Sequence, residues 1–107
     1  MLFTEYTISI GLNDKDTLAP VMDFESARRE IAGRLAQIRV GATITKGVGV
    51  YEHEDGRVVI EDTAIVQVVD FNGRFKKNAS SFYAGIKADY NQESIAVKVA
   101  EVESELV

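Results

Sequence analysis

Residues 50–62, VYEHEDGRVVIED, decide the fold. Apolar and polar residues alternate on both sides of Glu54-Asp55-Gly56, the pattern of two half-buried strands joined by a tight turn. With Gly56 left-handed, the three-residue loop is a type I turn followed by a G1 bulge, and that turn sets the register. His53 then faces Arg57, Tyr51 faces Val59, Gly49 faces Glu61 and Gly47 faces Thr63. One face of the ribbon carries Ile44, Val48, Val50, Val58, Ile60, Ala64, Val66 and Val68, and is expected to lie under helices. The other carries Thr43, Thr45, Gly47, Gly49, Tyr51, Glu61, Thr63, Ile65 and Gln67. A slip of one residue would drive polar groups into the core, so the pattern itself defends this register. Lys46 and Asp62 interrupt the apolar face. As diagonal neighbours they can pair at the sheet edge, or a bulge can turn one of them to solvent.

Outward from the hairpin, the rest of the chain supplies partners. Tyr6, Ile8 and Ile10 alternate with Thr7, Ser9 and Gly11 as a first strand. The loop DKDTLAPVMD (14–23) leads to Asp23, a natural helix cap. In FESARREIAGRLAQI (24–38), Phe24, Ala27, Ile31, Leu35 and Ile38 form one apolar stripe, and Gly41 is expected to close that helix region. A second helix is expected from about Asn78 to Tyr90, with Ala79, Phe82, Tyr83, Ile86 and Tyr90 inward. SIAVKVAEV (94–102) reads as the last strand. The order β-α-β-β-α-β predicts a ferredoxin-like α+β domain over residues 1–107: a four-stranded antiparallel sheet in the order 4-1-3-2 with two helices on one face. Two such subunits joined sheet to sheet, a dimeric α+β barrel, are the rival architecture. The expected core is Ile8, Ile10, Ile31, Leu35, Val48, Val50, Ile60, Val66, Phe82, Ile86 and Val97.

Composition narrows the function. A net charge of −5 and a pI near 4.8 oppose the phosphate-neutralising surface of a nucleic-acid binder. DFNGRFKKN (70–78) is the one locally basic stretch, and it reads as the solvated entry to the second helix. The absence of cysteine removes disulfides, thiolate metal sites and cysteine nucleophiles, and a single histidine, His53, lacks the partners that zinc needs. No metal or cofactor is expected. No apolar run reaches membrane length and no basic leader opens the sequence, from which a cytoplasmic protein is expected.

His53 and the acids around it read as a solvated turn. The candidate ligand-binding residues are Tyr51, Glu61, Gly47, Gly49 and Thr63, which project from strands on the face without helices. Two glycines there leave room, a tyrosine offers a flat wall with a hydroxyl, and a carboxylate offers a fixed acceptor. That set suits a polar organic ligand bearing an NH or OH group. A polar outer face is also the ordinary condition of an antiparallel sheet, and Glu61 can equally serve to hold the hairpin.

Gly41, Thr43, Gly49, Tyr51, Asp55-Gly56-Arg57 and Glu61, followed by Gln92-Glu93-Ser94 and preceded by Ile10-Gly11-Leu12, stand at characteristic spacings. In these the chain resembles a small bacterial and phage family known only as a domain of unknown function. The resemblance implies a ferredoxin-like α+β domain and no activity. Many of that family look exported and carry tryptophan where Tyr51 stands, whereas leaderless chains of this kind look like phage or mobile-element proteins. Three functions follow as expectations: a small binding or interaction module, expected to be a homodimer and using the open sheet face; a dimeric α+β barrel enzyme with Tyr51, Glu61 and His53 in proton transfer; or a phage accessory protein acting on a host factor.

Overall fold

The computed structural model describes residues 1–107. Its elements run β1 (Leu2–Gly11), α1 (Phe24–Gln37), β2 (Thr43–Glu52), β3 (Val58–Val69), α2 (Arg74–Asp89) and β4 (Ala96–Glu103). All strand pairs are antiparallel and the sheet order is β2-β3-β1-β4. This is the ferredoxin-like βαββαβ arrangement expected from the sequence, with both helices on one face.

The hairpin register is the one the turn dictates. Tyr51 pairs with Val59, Gly49 with Glu61 and Gly47 with Thr63. Gly56 has a φ of 87°, and the His53 N–H donates to the Arg57 carbonyl at 2.8 Å. Lys46 and Asp62 do pair diagonally, at 3.6 Å, with both side chains half exposed.

The core forms where β1 and β3 meet the helices. Ile8, Ile10, Ala64, Val66 and Val68 face Ala27, Ile31 and Leu35 of α1 and Phe75, Phe82 and Ile86 of α2, all buried. Asp23 caps α1 by accepting from the Ser26 N–H at 2.7 Å. Each helix ends with the paired 5→2 and 6→1 backbone bonds of a Schellman motif around a left-handed residue that is not glycine. For α1 that residue is Arg39, φ 57°, rather than the expected Gly41; for α2 it is Asn91, φ 47°.

α2 begins one turn earlier than its apolar periodicity suggests. Gly73 at the cap position offers no side chain, so Asp70 reaches across instead. Its two oxygens accept the N–H groups of Phe75 at 3.1 Å and Lys76 at 3.0 Å. That extra turn buries Phe75 completely, against Tyr6 and Phe82. Between the helices, Arg34 bridges Glu30 and Asp89, and the Tyr90 hydroxyl donates to Glu30 Oε1 at 2.7 Å. Burial, then the neighbouring Glu30 carboxylate, pushes the Tyr90 phenol well above its usual range.

Four expected core residues lie outside the core. Val48, Val50 and Ile60 are 66, 65 and 66% exposed, and Val97 on the β4 edge is 38% exposed. Their periodicity gives the side of the sheet correctly, but no helix reaches over them. The 14 residues of α1 span about 21 Å at 1.5 Å each, whereas the 12 of β3 span about 40 Å at 3.3 Å each. The hairpin therefore runs on past its cover, and the molecule measures 46 × 24 × 22 Å.

Leu35→Ala and Phe75→Ala should each cost about 2–5 kcal/mol of unfolding free energy in urea; a loss below about 1 kcal/mol at Phe75 would contradict the packing described for the first turn of α2. Tyr90 gives a pH signature. A phenol whose folded pKa is raised stabilises the fold fully below its unfolded pKa near 10, and that stabilisation is lost as pH rises beyond it. Stability should therefore fall above about pH 10, and Tyr90→Phe should flatten that fall. An unchanged alkaline slope in the variant would refute the assignment.

Candidate functional site

The register that builds the core also stacks β1, β3 and β2 side by side on the face opposite the helices. Gly11 pairs with Thr63, and Gly49 pairs with Glu61. Glu61 leans from β3 toward β1, and its carboxylate lies over Gly11, where a Cβ would collide with both oxygens. The Asn13 N–H, on the chain just past β1, donates to Glu61 Oε2 at 2.9 Å. Glu61 Oε1 accepts no hydrogen bond from within the chain. Gly11 is thus present because a carboxylate occupies the space of its side chain.

Tyr51 stands on the neighbouring strand, 39% exposed, and its phenol is raised above the ordinary value by burial first, then by the charges of Glu61 and Glu93. Glu93 is the residue the hairpin reading missed. It lies in the turn between α2 and β4, where neither strand nor helix periodicity marks it out, and only its place in Gln92-Glu93-Ser94 gave a signal. Its position is built from α2: after the left-handed Asn91, the Gln92 side chain donates to the Asn13 carbonyl at 2.6 Å and to the Tyr90 carbonyl at 3.1 Å. Asn91 donates to Asp14 at 2.8 Å and Asp16 at 3.0 Å, tying the same turn to the loop after β1.

Gly47 and Gly49 are close to Tyr51 and Glu61, but they do not open a cavity. A Cβ on Gly47 would stand 2.7 Å from Ile65 Cδ1, and one on Gly49 would stand 2.8 Å from Thr63 Oγ1. The glycines receive side chains of β3 and let them lie flat, which buries Thr63. Val59 is buried on this outer face as well, only 8% exposed, while Val58 and Ile60 on the helix side are bare. Near the turn the sidedness of burial is inverted. His53 sits apart, its Nδ1 3.4 Å from Asp55, inside the turn.

The strands thus bring together Gly11, Gly49, Tyr51, Glu61 and Thr63, with Glu93 approaching from the α2–β4 turn. A cavity of about 340 Å³ opens between β3 and the loop after β1, but Leu12, Met22, Asp23, Ile60 and Asp62 among its lining place it on the helix side of the sheet, across from Tyr51. The free carboxylate oxygen of Glu61 and the Tyr51 ring, with the charge of Glu93 felt at Tyr51, make a site that attracts cations and repels anions. A larger cavity, about 550 Å³, lies at the other end of the sheet by Glu5, Thr43 and Asp70, and Asp70 is already committed to the start of α2. No group of three or more His, Cys, Asp and Glu side chains is placed to hold a metal ion, and no helix is long and apolar enough to cross a membrane.

No protein-family model and no curated protein matches the chain. Among solved structures it is similar to a phage SAM lyase in complex with S-methyl-5'-thioadenosine, at 22% identity and a TM-score of 0.74, covering 92% of this chain and 81% of that one. The apo state of a phage SAM lyase aligns at 23% identity and 0.70, over 94% and 81%. The periplasmic divalent cation tolerance protein CutA from Archaeoglobus fulgidus aligns at 19% identity and 0.55, over 99% and 88%. What is shared at these identities is the fold.

Gly11→Ala isolates the geometry. The added methyl meets the flexible end of Glu61 rather than backbone, so the melting temperature should change little while the carboxylate is displaced. A crystal structure of the variant with Glu61 still hydrogen-bonded to Asn13 would refute that account.

Proposed function

We propose that the outer-face site takes a sulfonium nucleoside of the S-adenosylmethionine class, and that the chain is a small phage-type accessory protein that consumes this compound. The observation that carries the reading is the Glu61 carboxylate laid over Gly11 on the face that carries Tyr51, with Oε2 taken by the Asn13 N–H and Oε1 left free. A sulfonium is a soft, weakly hydrated cation, suited to an aromatic face flanked by carboxylates.

Support also comes from the neighbouring fold, since the phage lyase with a TM-score of 0.74 is bound to S-methyl-5'-thioadenosine. That molecule keeps the adenosyl and methyl groups of S-adenosylmethionine. The bond broken in forming it joins sulfur to the amino-acid chain, and its electron pair stays on sulfur. The same step in this chain, with the amino-acid chain's own carboxylate closing onto the carbon that sulfur leaves to give a lactone, would turn a cation held by the Glu61 carboxylate into a neutral thioether, which the site would hold less well and release. Of the residues that carry the resemblance to the family of unknown function, Gly11, Gly49, Tyr51 and Glu61 share the outer face on neighbouring strands, which supports this reading. A second reading, sequestration without turnover, is favoured by the openness of Tyr51 in the single chain.

Calorimetric titration with S-adenosylmethionine and with its neutral thioether relative S-adenosylhomocysteine tests the charge preference. The sulfonium should bind at least tenfold more tightly, about 1.4 kcal/mol. Glu61→Gln should remove that difference without lowering the melting temperature. Chromatographic appearance of S-methyl-5'-thioadenosine separates turnover from sequestration. Equal affinity for the two compounds, or none for either, would overturn the proposal; a Glu61→Gln protein that binds normally but melts early would make Glu61 a scaffold residue.

A further inference from the structure

The helix-side face of the hairpin leaves four large apolar residues bare side by side. Val48, Val50, Val58 and Ile60 are each between 65 and 69% exposed, and Val50 pairs directly with Ile60. We infer that a second copy of this chain covers this face, ribbon against ribbon, through Val48, Val50, Val58 and Ile60.

Area comes first. Four such side chains leave on the order of 400 Å² of contiguous apolar surface, the size of the largest patch on a typical monomer, which often marks an interaction site. A face that meets its own copy counts twice, giving roughly 800 Å², and the unpaired backbone edge of β2 and the polar ends of the ribbon bring the total toward the roughly 1,200 Å² of a specific interface. The hairpin also projects from the body. The radius of gyration is 14.4 Å, against about 13 Å for a compact chain of this length.

Charge then points to the chain itself rather than to a foreign partner. The four apolar side chains are uncharged, and Asp62, opposite Val48 on this face, is already paired with Lys46 at 3.6 Å, so two chains of net charge −5 can meet there without adding an unpaired carboxylate at the valines. On β2 the same face reads Lys46, Val48, Val50, Glu52, with a cation at the base of the ribbon and an anion near its tip. A copy laid antiparallel sets each Lys46, which already holds Asp62 of its own chain, near the other chain's Glu52 while the valines stack between them. The face is complementary to itself, as a two-fold contact requires. The inference needs no ligand, so it stands or falls separately from the sulfonium reading. If both hold, the contact clamps the ribbon whose opposite face carries Tyr51 and Glu61.

Light scattering on the eluting peak measures this on the full chain. At about 100 μM, within reach of an interface this small, the wild-type protein should have at least twice the 11.8 kDa chain mass. Val50→Glu with Ile60→Glu should return it to the chain mass with its circular dichroism unchanged, because both positions are exposed in the single chain. Should that variant misfold, Val50→Thr with Ile60→Thr, close in shape, should weaken association at least tenfold. Thr45→Glu, on the opposite face of β2, should leave the mass at the wild-type value. A wild-type protein that stays at 11.8 kDa, or folded variants that keep the wild-type mass, would overturn the inference.

Discussion

The antiparallel ladder between β1 and β3 is the constraint on which everything else rests. Pairing Ile8 with Val66 and Ile10 with Ala64 lines up the apolar residues that receive both helices. The same pairing sets Gly11 beside Thr63 and brings Glu61 over the glycine from the opposite face. Because side chains alternate, core and site are two sides of a single register. A one-residue shift would destroy both together. The packing of Ile8 and Ile10 thus guards the position of a carboxylate that neither of them touches.

Much of this was legible in the sequence, and for a definite reason. A turn with a left-handed glycine between two alternating runs leaves little freedom, so the pairings of Tyr51 with Val59 and Gly49 with Glu61 followed from Gly56 alone. Periodicity also assigned the correct side to Val48, Val50 and Ile60. It could not say that they would be uncovered, because coverage depends on how far a helix reaches beside a strand that rises twice as fast per residue. The beginning of α2 was hidden for a different reason. Its cap is Asp70, three residues before the glycine at the cap position, and a polar loop conceals a helix start when its capping residue is displaced.

The site was half legible. Tyr51 and Glu61 could be placed because they sit on regular strands. The meaning of Gly47 and Gly49 could not, since a glycine in a strand either leaves a gap or admits a neighbour's side chain, and only the positions of Ile65 and Thr63 decide which. Glu93 lies in a turn whose conformation is set by the end of a helix and by side chains of the loop after β1. No local pattern records contacts of that range. Gly11 read as the last residue of a strand, while its actual service is to a carboxylate fifty residues further on.

Asn91 carries a consequence for how such a chain can change over time. It ends α2, and its amide grips the loop after β1 while the next two residues carry Gln92 onto Asn13 and Glu93 toward Tyr51. One residue added to or removed from α2 would rotate Asn91 by about 100° around the helix axis and break every one of those attachments. The helix is therefore a ruler whose length cannot drift. The turn at Glu54-Asp55-Gly56 holds no such attachments beyond its own loop. Insertions among relatives should gather at that tip and spare α2, so that the length of this helix, more than any single side chain, marks which relatives keep the site.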